Sequence, residues 1–340
     1  MLWMFAFEQI DRIDKMQDVL LDIKNLSTAF RVDGQLVKIL DDVSFSLLRG
    51  ESCALVGESG SGKSVTSKAI MRLIPDPPGK ILAGQILFEG QDILKHDVKT
   101  MYKIRGNKIS MIFQEPMTSL NPVFTCGNQI MEPLRVHQCL SKKEAAGRAI
   151  EMLRLVGIQM PEKRFKAYPH ELSGGMRQRV MIAIALACKP ALLIADEPTT
   201  ALDPTIQAQI LRLIKDLKAQ FGMSVLLVTH DLGMVAGNCS KVVVMYAGTV
   251  VEYAEVHDLF KFPSHPYTVG LLKSMPRINQ KTEKLHTIEG IVPPFTEMPV
   301  GCPFAPRCNK KLPICSEKRP SMTMLKHEHT VRCWLYEKQE

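Results

Sequence analysis

Short strand-like patterns of hydrophobic and polar residues fill the first third of the chain, from about residue 19 to 110. The segments VLLDI, VSFSL, SCALVG and QILFEG either alternate apolar and polar positions or form apolar blocks of strand length. One helical segment, from about Gly62 to Leu73, interrupts them. This part of the chain is therefore predicted to be rich in β-strands.

The pattern becomes helical in the middle of the chain. From Cys126 to Lys189, SKKEAAGRAIEMLRLVG and SGGMRQRVMIAIALA have the amphipathic period of helices. From Ala191 to Glu255, the strand-like runs ALLIAD, SVLLVTH, VVVMYAG and TVVEYAE alternate with helical segments. Alternating strands and helices with short links predict a mostly parallel sheet covered by helices. After Pro263, proline, cysteine and lysine accumulate and the periodicity weakens, which predicts a small separate C-terminal region.

Composition and charge narrow the class of protein. With 340 residues and 46% hydrophobic residues, the chain can bury a substantial core. No stretch approaches the roughly 18 to 20 apolar residues of a membrane-spanning helix, so a membrane role would need partner subunits. The net charge of +8 comes from scattered basic residues among 35 acidic ones. This distribution favours a solvated surface, or one that faces an anionic membrane leaflet, over a nucleic-acid site.

The N-terminus is a poor secretory signal. Residues 1 to 7 are apolar but lack a basic leading region, and Glu8, Asp11 and Arg12 follow soon after. The protein is therefore expected to stay in the cytoplasm. Residues 1–18 are interpreted as an N-terminal extension, and the first fifteen are expected to be dispensable.

The segment GESGSGKS follows the predicted strand SCALV and opens a helix. Its glycines allow several backbone N–H groups to face one anion at the positive end of that helix. The lysine would reach the outer phosphates of a nucleotide, and the serine after it would offer its hydroxyl to Mg²⁺. The residues predicted to bind nucleotide here are Gly57, Ser59, Gly60, Ser61, Gly62, Lys63, Ser64 and Val65.

Two later strands end in polar side chains suited to hydrolysis. The run LLIAD ends at Asp196, which would hold Mg²⁺ through water, and Glu197 follows as the general base for the attacking water. A structural alternative is that the two acids cap a helix or lie solvated in a turn. His230 follows SVLLVT and is predicted to contact the γ-phosphate and hold the attacking water in line.

The segment HELSGGMRQ, from His170 to Gln178, resembles the signature motif of ABC ATPases. With the phosphate loop, Gln114 in IFQEP, Ala201-Leu202-Asp203 and His230, the motifs of that family follow in the family's order. The resemblance implies a P-loop NTPase core of ABC ATPase type, within the α/β class, with an antiparallel β subdomain and a helical subdomain. The nucleotide-binding domain is expected at 19–262, its helical subdomain at about 115–190, and a Cys-containing C-terminal region at 263–340.

The resemblance also implies roles for individual residues. Ser173, Gly174 and Gly175 precede a helix, and in the family this second amide cluster binds the γ-phosphate of ATP held by the opposite subunit. Asp203 resembles the residue that links the two sites of the dimer, and Gln114 resembles the switch glutamine that touches Mg²⁺ or water. An aromatic residue in the first hairpin stacks on adenine in relatives, so Phe30 is expected there, although a core position suits it nearly as well.

Peptide transport is indicated by several further segments. IFQEPMTSLNP, YPHELSGGMRQR, HPYT, EGIVPP and the Pro- and Cys-containing tail resemble oligopeptide and dipeptide importer ATPases. The resemblance implies a peripheral position on the cytoplasmic face of the membrane, with a second ATPase of the same or a different kind, two permease subunits and an extracytoplasmic binding protein. Relatives with these motifs also import nickel or glutathione, and a non-transport ABC ATPase of translation or DNA repair is the further alternative.

The C-terminal region contains four cysteines: Cys302, Cys308, Cys315 and Cys333. Four thiolates can hold Zn²⁺ or an iron-sulfur cluster, and such binding would supply folding energy to a segment poor in apolar residues. Relatives with a similar GCPFxxRC tail are thought to hold a [4Fe-4S] cluster, so the resemblance favours the cluster over zinc. Free structural thiols are the third possibility.

Overall fold

The structure is a computed structural model that describes residues 18–114, 119–200, 202–275, 287–326 and 328–337. The predicted N-terminal extension, apart from its last residue, lies outside the described residues. The chain divides into two compact units. Of the described residues, those within 1–47, 52–94 and 229–340 form the first unit, and those within 48–51 and 95–228 form the second.

The first unit contains an antiparallel sheet near the N-terminus. Its strands are β1 (Val19–Val32), β2 (Gln35–Leu48), β4 (Gly79–Phe88) and β5 (Gln91–Asp92), in the order β2-β1-β4-β5. β1 pairs with β4 from Leu21 opposite Phe88 to Phe30 opposite Gly79. Alternating burial along β2 places one face of this sheet against apolar side chains, as a period of two requires.

A second group of strands in the first unit carries the phosphate loop. β3 (Ser52–Val56) is buried along its whole length and pairs in parallel with β9 (Lys241–Tyr246), which pairs antiparallel with β10 (Thr249–Glu255). The C-terminal strands β11 (Thr323–Lys326) and β12 (His329–Val331) extend this group, because β12 pairs antiparallel with β10. The helices of the unit are α1 (Lys63–Ile70), α8 (Val256–Lys261) and α9 (Pro266–Lys273).

An aromatic cluster lies in the core of the first unit. Tyr246 from β9, Tyr267 from α9 and Phe304 are all buried, and their ring centroids lie 4.7 to 5.5 Å apart in edge or tilted arrangements. Such pairs stabilise a core by about 0.5 to 1.5 kcal/mol each beyond the area they bury. Residues from the predicted C-terminal region therefore complete this core.

The second unit combines a parallel sheet with helices. β6 (Ile109–Ile112), β7 (Leu192–Asp196) and β8 (Ser224–Thr229) lie in parallel with β7 in the middle. All residues of these strands are buried, as expected for a sheet covered on both faces. The helices are α2 (Val98–Ile104), α3 (Cys126–His137), α4 (Lys142–Leu155), α5 (Pro161–Phe165), α6 (Gly174–Leu186) and α7 (Pro204–Phe221).

Several short 3₁₀ turns connect these elements. They lie at Ile93–Lys95, Pro169–Glu171, Leu232–Met234, Phe295–Glu297, Ala305–Arg307 and Pro313–Ser316. Among the described residues, no helix combines the length and the apolar character needed to cross a membrane.

Candidate nucleotide site

The phosphate loop begins where β3 ends and finishes at the first turn of α1. Gly57 has a φ of 156°, and a Cβ atom there would lie 2.2 Å from the carbonyl oxygen of Met245. Gly62, the N-cap of α1, has a φ of 99°. Both positions therefore require glycine, because a side chain would clash or force a rarely populated backbone conformation.

Lys63 points its ammonium group back into the loop. Its Nζ donates to the carbonyl oxygens of Gly57 at 2.7 Å and Glu58 at 2.9 Å, and to the hydroxyl of Ser61 at 3.4 Å. Lys63 is only 5% exposed, so these oxygens stabilise a cation that has lost most of its water. A buried ammonium beside a glycine-rich loop and a helix N-terminus is the donor set that polyphosphate requires, and the loop therefore fits ATP.

The remaining loop residues differ in exposure. Ser61 is buried, Ser64 and Val65 are half-buried, and Ser59 and Gly60 are exposed. The amide of Ser61 donates to the carbonyl oxygen of Glu58 at 3.1 Å, which closes the turn. The exposed residues thus occupy the outer part of the loop, and Ser64 lies in the first turn of α1.

The second unit brings the predicted hydrolytic residues together. Asp196 ends β7 and is 3% exposed. Glu197 follows with a φ of 46°, and its amide donates to the carbonyl oxygen of Val228 at 2.9 Å. Its Oε2 accepts hydrogen bonds from Nε2 of Gln114 at 2.8 Å and from Oγ1 of Thr200 at 3.0 Å. Two residues, one of them not predicted from the sequence, therefore orient the Glu197 carboxylate.

The signature segment forms the start of α6. Ser173 is exposed and is the N-cap of this helix, where its Oγ accepts a hydrogen bond of 3.4 Å from the amide of Met176. Gly174 and Gly175 form the first turn, and a Cβ on Gly175 would lie 3.2 Å from Cγ2 of Ile206. The glycines thus let the start of α6 lie close to α7.

The other predicted residues lie in three places. Asp203 is the N-cap of α7, and its Oδ1 accepts from the amides of Thr205 at 3.1 Å and Ile206 at 3.0 Å. His230 follows β8 and is exposed. Phe30 is half-buried near the end of β1, where its ring contacts the position that a Cβ on Gly79 would occupy.

The prediction of an iron-sulfur cluster or zinc at the four C-terminal cysteines is wrong. Among the described residues, no group of three or more His, Cys, Asp or Glu side chains is placed to hold a metal ion. Cys315 and Cys333 are 8% exposed. Burial raises the pKa of Cys302 to about 11 and also raises the pKa of Cys308 and Cys333.

Two of the four cysteines are buried and the other two are half-buried, as packing residues are. Burial of this kind is typical of free cysteines that act as small apolar side chains. Cys302 and Cys308 pack against the hydrophobic core that contains Tyr246, Tyr267 and Phe304. The C-terminal segment is also tied to the first unit by the β10–β12 pairing.

Two family models match the chain. The model described as ABC transporter matches residues 40–200, and the model described as Oligopeptide/dipeptide transporter, C-terminal region, matches residues 251–315. The chain is 54% identical over 320 residues to the oligopeptide transport ATP-binding protein AppD of Bacillus subtilis, covering 94% of this chain and 98% of AppD. The chain belongs to the oligopeptide/dipeptide class of ABC transporter ATP-binding proteins. This ABC ATPase is also 50% identical to the dipeptide transport ATP-binding protein DppD of the same organism, covering 93% of this chain and 94% of DppD.

Solved structures support the same family. The dimeric ATP-binding cassette MJ0796, bound to ADP and phosphate, matches with a TM-score of 0.62 and 29% identity, over 69% of this chain and 98% of the cassette. The cassette cbiO1 from Clostridium perfringens matches with a TM-score of 0.62 and 27% identity, over 72% of this chain and 92% of that protein.

These comparisons confirm the predicted P-loop ABC ATPase fold and the family-level function, an ATP-hydrolysing transport subunit. ABC ATPases of this family work as dimers with membrane permease components, which confirms the coarser part of the partner prediction. ATP and Mg²⁺ fit this ABC ATPase. The roles of individual site residues and the domain boundaries stay predictions.

Proposed function

We propose that this ABC ATPase hydrolyses ATP on the cytoplasmic face of the membrane to drive the uptake of short peptides. The observation that carries the cargo class is the 54% identity to AppD along almost the full length of both chains, together with the C-terminal match at 251–315. Its partners would be a second ATPase subunit, two permeases and an extracytoplasmic binding protein. Nickel or glutathione uptake is the alternative for the same motor.

Residues in the first unit would bind the nucleotide phosphates. The amides of the loop from Gly57 to Val65 and the Lys63 ammonium would hold them, with Ser64 supplying a hydroxyl ligand to Mg²⁺. His230 would contact the γ-phosphate, and Phe30 would stack on adenine. Bound Mg²⁺ would neutralise phosphate charge during transfer to water.

Residues in the second unit would supply the rest of the chemistry. Asp196 and Gln114 would hold Mg²⁺ directly or through water, and Glu197 would accept a proton from the attacking water. The contacts from Gln114 and Thr200 support this role, since they fix the carboxylate that must receive the proton. Ser173 and the two glycines after it would contact the γ-phosphate bound by the partner subunit, with Asp203 linking the two sites.

Replacing the proposed base tests the hydrolytic role. Glu197→Gln keeps the shape of the side chain and its acceptor oxygen, so Gln114 and Thr200 retain a partner, but the amide cannot accept the proton. Phosphate release from MgATP by the full chain, assembled with its permeases, should fall about 100- to 10,000-fold while ATP stays bound. Unchanged turnover would refute the assignment of the base.

The cargo is tested by transport. Cells that lack this chain should lose uptake of labelled di- and oligopeptides, and the wild-type gene, but not the Glu197→Gln variant, should restore it. Loss of nickel or glutathione uptake with unchanged peptide uptake would favour the alternative cargo. Copurification with two polytopic membrane proteins in detergent would support a transporter, whether its cargo is peptides, nickel or glutathione, over a non-transport ATPase.

A further inference from the structure

Glu58, the second residue of the phosphate loop, is held by two residues from the C-terminal part of the chain. Its amide donates to the hydroxyl of Tyr267 at 2.8 Å. Its carboxylate accepts from both terminal nitrogens of Arg307, with Nη1 to Oε2 at 2.7 Å and Nη2 to Oε1 at 3.1 Å. Two parallel bonds between a guanidinium and a carboxylate fix direction as well as distance.

Contacts outside the phosphate loop also hold the Arg307 side chain in place. Its Nε donates to the carbonyl oxygen of Glu289 at 3.0 Å, and Nη2 donates to that of Ile288 at 3.2 Å. The guanidinium lies 5.8 Å from the ring centroid of Tyr246, and the Arg307 side chain is only 5% exposed. Because these contacts order the side chain, pairing with Glu58 costs little further conformational entropy.

Each polar part of Glu58 therefore has a different partner. The carbonyl oxygen accepts from Lys63, the amide donates to Tyr267, and the carboxylate pairs with Arg307. The first contact orders the lysine proposed to bind phosphate, and the other two come from the segment matched at 251–315. This one residue thus connects the C-terminal region to the phosphate loop.

The charge of Glu58 makes the pairing important for an anionic ligand. A carboxylate in the loop that receives polyphosphate would repel that anion. The guanidinium of Arg307 compensates the negative charge of the Glu58 carboxylate through direct hydrogen bonds. Without Arg307, the carboxylate would also become free to turn toward the Lys63 ammonium.

We propose that Arg307 and Tyr267 are positioning residues of the nucleotide site, which hold Glu58 neutralised and oriented so that the phosphate loop accepts ATP. This inference rests on the proposed function, since it requires that the loop binds MgATP. It makes the C-terminal region of the chain part of the nucleotide site.

A double-mutant cycle that removes the charges of Glu58 and Arg307 in the full chain tests the proposal. Binding is measured with the fluorescent nucleotide mant-ATP in the presence of Mg²⁺. Arg307→Gln should weaken binding about tenfold, Glu58→Gln should weaken it only about threefold because the loop then has no uncompensated carboxylate, and the double variant should recover to within about threefold of wild type. Arg319→Gln is the matched control, because Arg319 belongs to the same region and pairs with Asp41, which lies outside the phosphate loop. It should bind mant-ATP like wild type.

Ionic strength separates an electrostatic role from a packing role. The Arg307→Gln defect should shrink at 0.5 M NaCl relative to about 0.05 M, because salt screens the uncompensated carboxylate. Arg307→Lys keeps the positive charge but cannot form two parallel hydrogen bonds to the carboxylate. This variant should bind mant-ATP with an affinity between those of wild type and Arg307→Gln. Thermal unfolding of each variant identifies any general loss of structure.

The outcomes distinguish the two proposals. Wild-type protein that fails to bind mant-ATP overturns both the proposed function and this inference. Wild-type binding with equal affinity in Arg307→Gln overturns the inference alone. A double variant as weak as Arg307→Gln also overturns it, since the defect would then not act through Glu58.

Discussion

Tyr267 has two separate roles in one side chain. Its ring packs in the aromatic cluster with Tyr246 and Phe304, and its hydroxyl accepts the amide hydrogen of Glu58. Burial strongly raises the pKa of this phenol, so the hydroxyl stays neutral over the physiological range. The ring thus places a neutral oxygen against the backbone of the phosphate loop.

Removing only that oxygen should loosen the loop. Tyr267→Phe keeps the ring packing but leaves the Glu58 amide without its acceptor, which should lower the free energy of unfolding by about 1 kcal/mol. Affinity for mant-ATP should fall about threefold, as measured by fluorescence titration with Mg²⁺. Tyr253→Phe is the matched control, because its hydroxyl donates to the carbonyl oxygen of Ser46 at 3.3 Å. Equal loss of nucleotide affinity in both variants would contradict the role given to Tyr267.

At the scale of residues, the sequence predicts the role of a contiguous motif but not which distant residues contact it. The phosphate loop is contiguous, so its glycines and Lys63 can be interpreted without a fold. Arg307 lies 249 positions from Glu58, and Tyr267 lies 209 positions from it. No periodic pattern links residues at such separations, although HPYT and GCPFAPRC were recognisable as segments. The same limit explains why four cysteines suggested a metal site when their environment is that of packing residues.

Two helices of the second unit begin with serine caps of the same type. Ser141 begins α4 in a capping box, in which Glu144 accepts from the Ser141 amide at 2.9 Å and Ser141 accepts from the Glu144 amide at 3.4 Å. Ser173 begins α6 with a single bond of 3.4 Å. Ser141 therefore makes the more complete cap, whereas Ser173 belongs to the signature segment.

The two serines should separate stability from activity. Ser141→Ala should lower the free energy of unfolding by about 1 kcal/mol and leave ATPase activity of the assembled transporter unchanged. Ser173→Ala should have a smaller effect on stability but reduce ATPase activity at least about tenfold, because its hydroxyl is proposed to contact the partner's nucleotide. Urea unfolding and phosphate release provide the two measurements. The assignment of Ser173 fails if both variants lose activity in proportion to stability.

Two helices of the second unit start at capping residues. Ser141 and Glu144, and Asp203 before Pro204, mark the starts of α4 and α7 where the structure places them. The helix predicted from Gly62 to Leu73 is shorter, because Arg72 adopts a φ of 49° just after α1 ends. β11 and β12 are too short for a periodic signal, and they are held instead by strand pairing, β12 with β10 and β11 with β12.

At the scale of the whole molecule, the family motifs predicted the fold class, since each lies at the end of a strand or the start of a helix. The separate C-terminal region predicted from its weak periodicity contributes Tyr267 and Phe304 to the core of the first unit. Composition alone could not indicate this, because the contribution depends on a few aromatic residues rather than on an apolar pattern. The stability of the molecule should therefore respond to chemistry within that region.

His265 connects this stability to pH. It is 1% exposed, its Nδ1 accepts from the amide of Tyr267 at 3.1 Å, and its ring lies 5.7 Å from Phe304. Burial lowers the pKa of His265 to about 4, although the nearby Glu252 carboxylate opposes the shift. The unfolded chain takes up a proton near pH 6.5, and the folded chain does so only near pH 4. Stability is therefore complete above about pH 6.5 and is lost as the pH falls toward 4.

The contribution lost between pH 7.5 and 5 should be about 2 kcal/mol, measured as the free energy of unfolding in urea. His265→Asn retains an acceptor for the Tyr267 amide but does not titrate. Its free energy of unfolding should therefore fall by about 2 kcal/mol less than that of wild type over this pH range. The comparison uses the change with pH, because loss of the ring lowers stability at every pH. His257→Asn, at a residue whose side chain is 77% exposed, should keep the wild-type dependence. If the free energy of unfolding depends on pH in the same way in wild type and in His265→Asn, another group causes the loss of stability. The neutral imidazole of His265 would then not be what stabilises the core beside the phosphate loop.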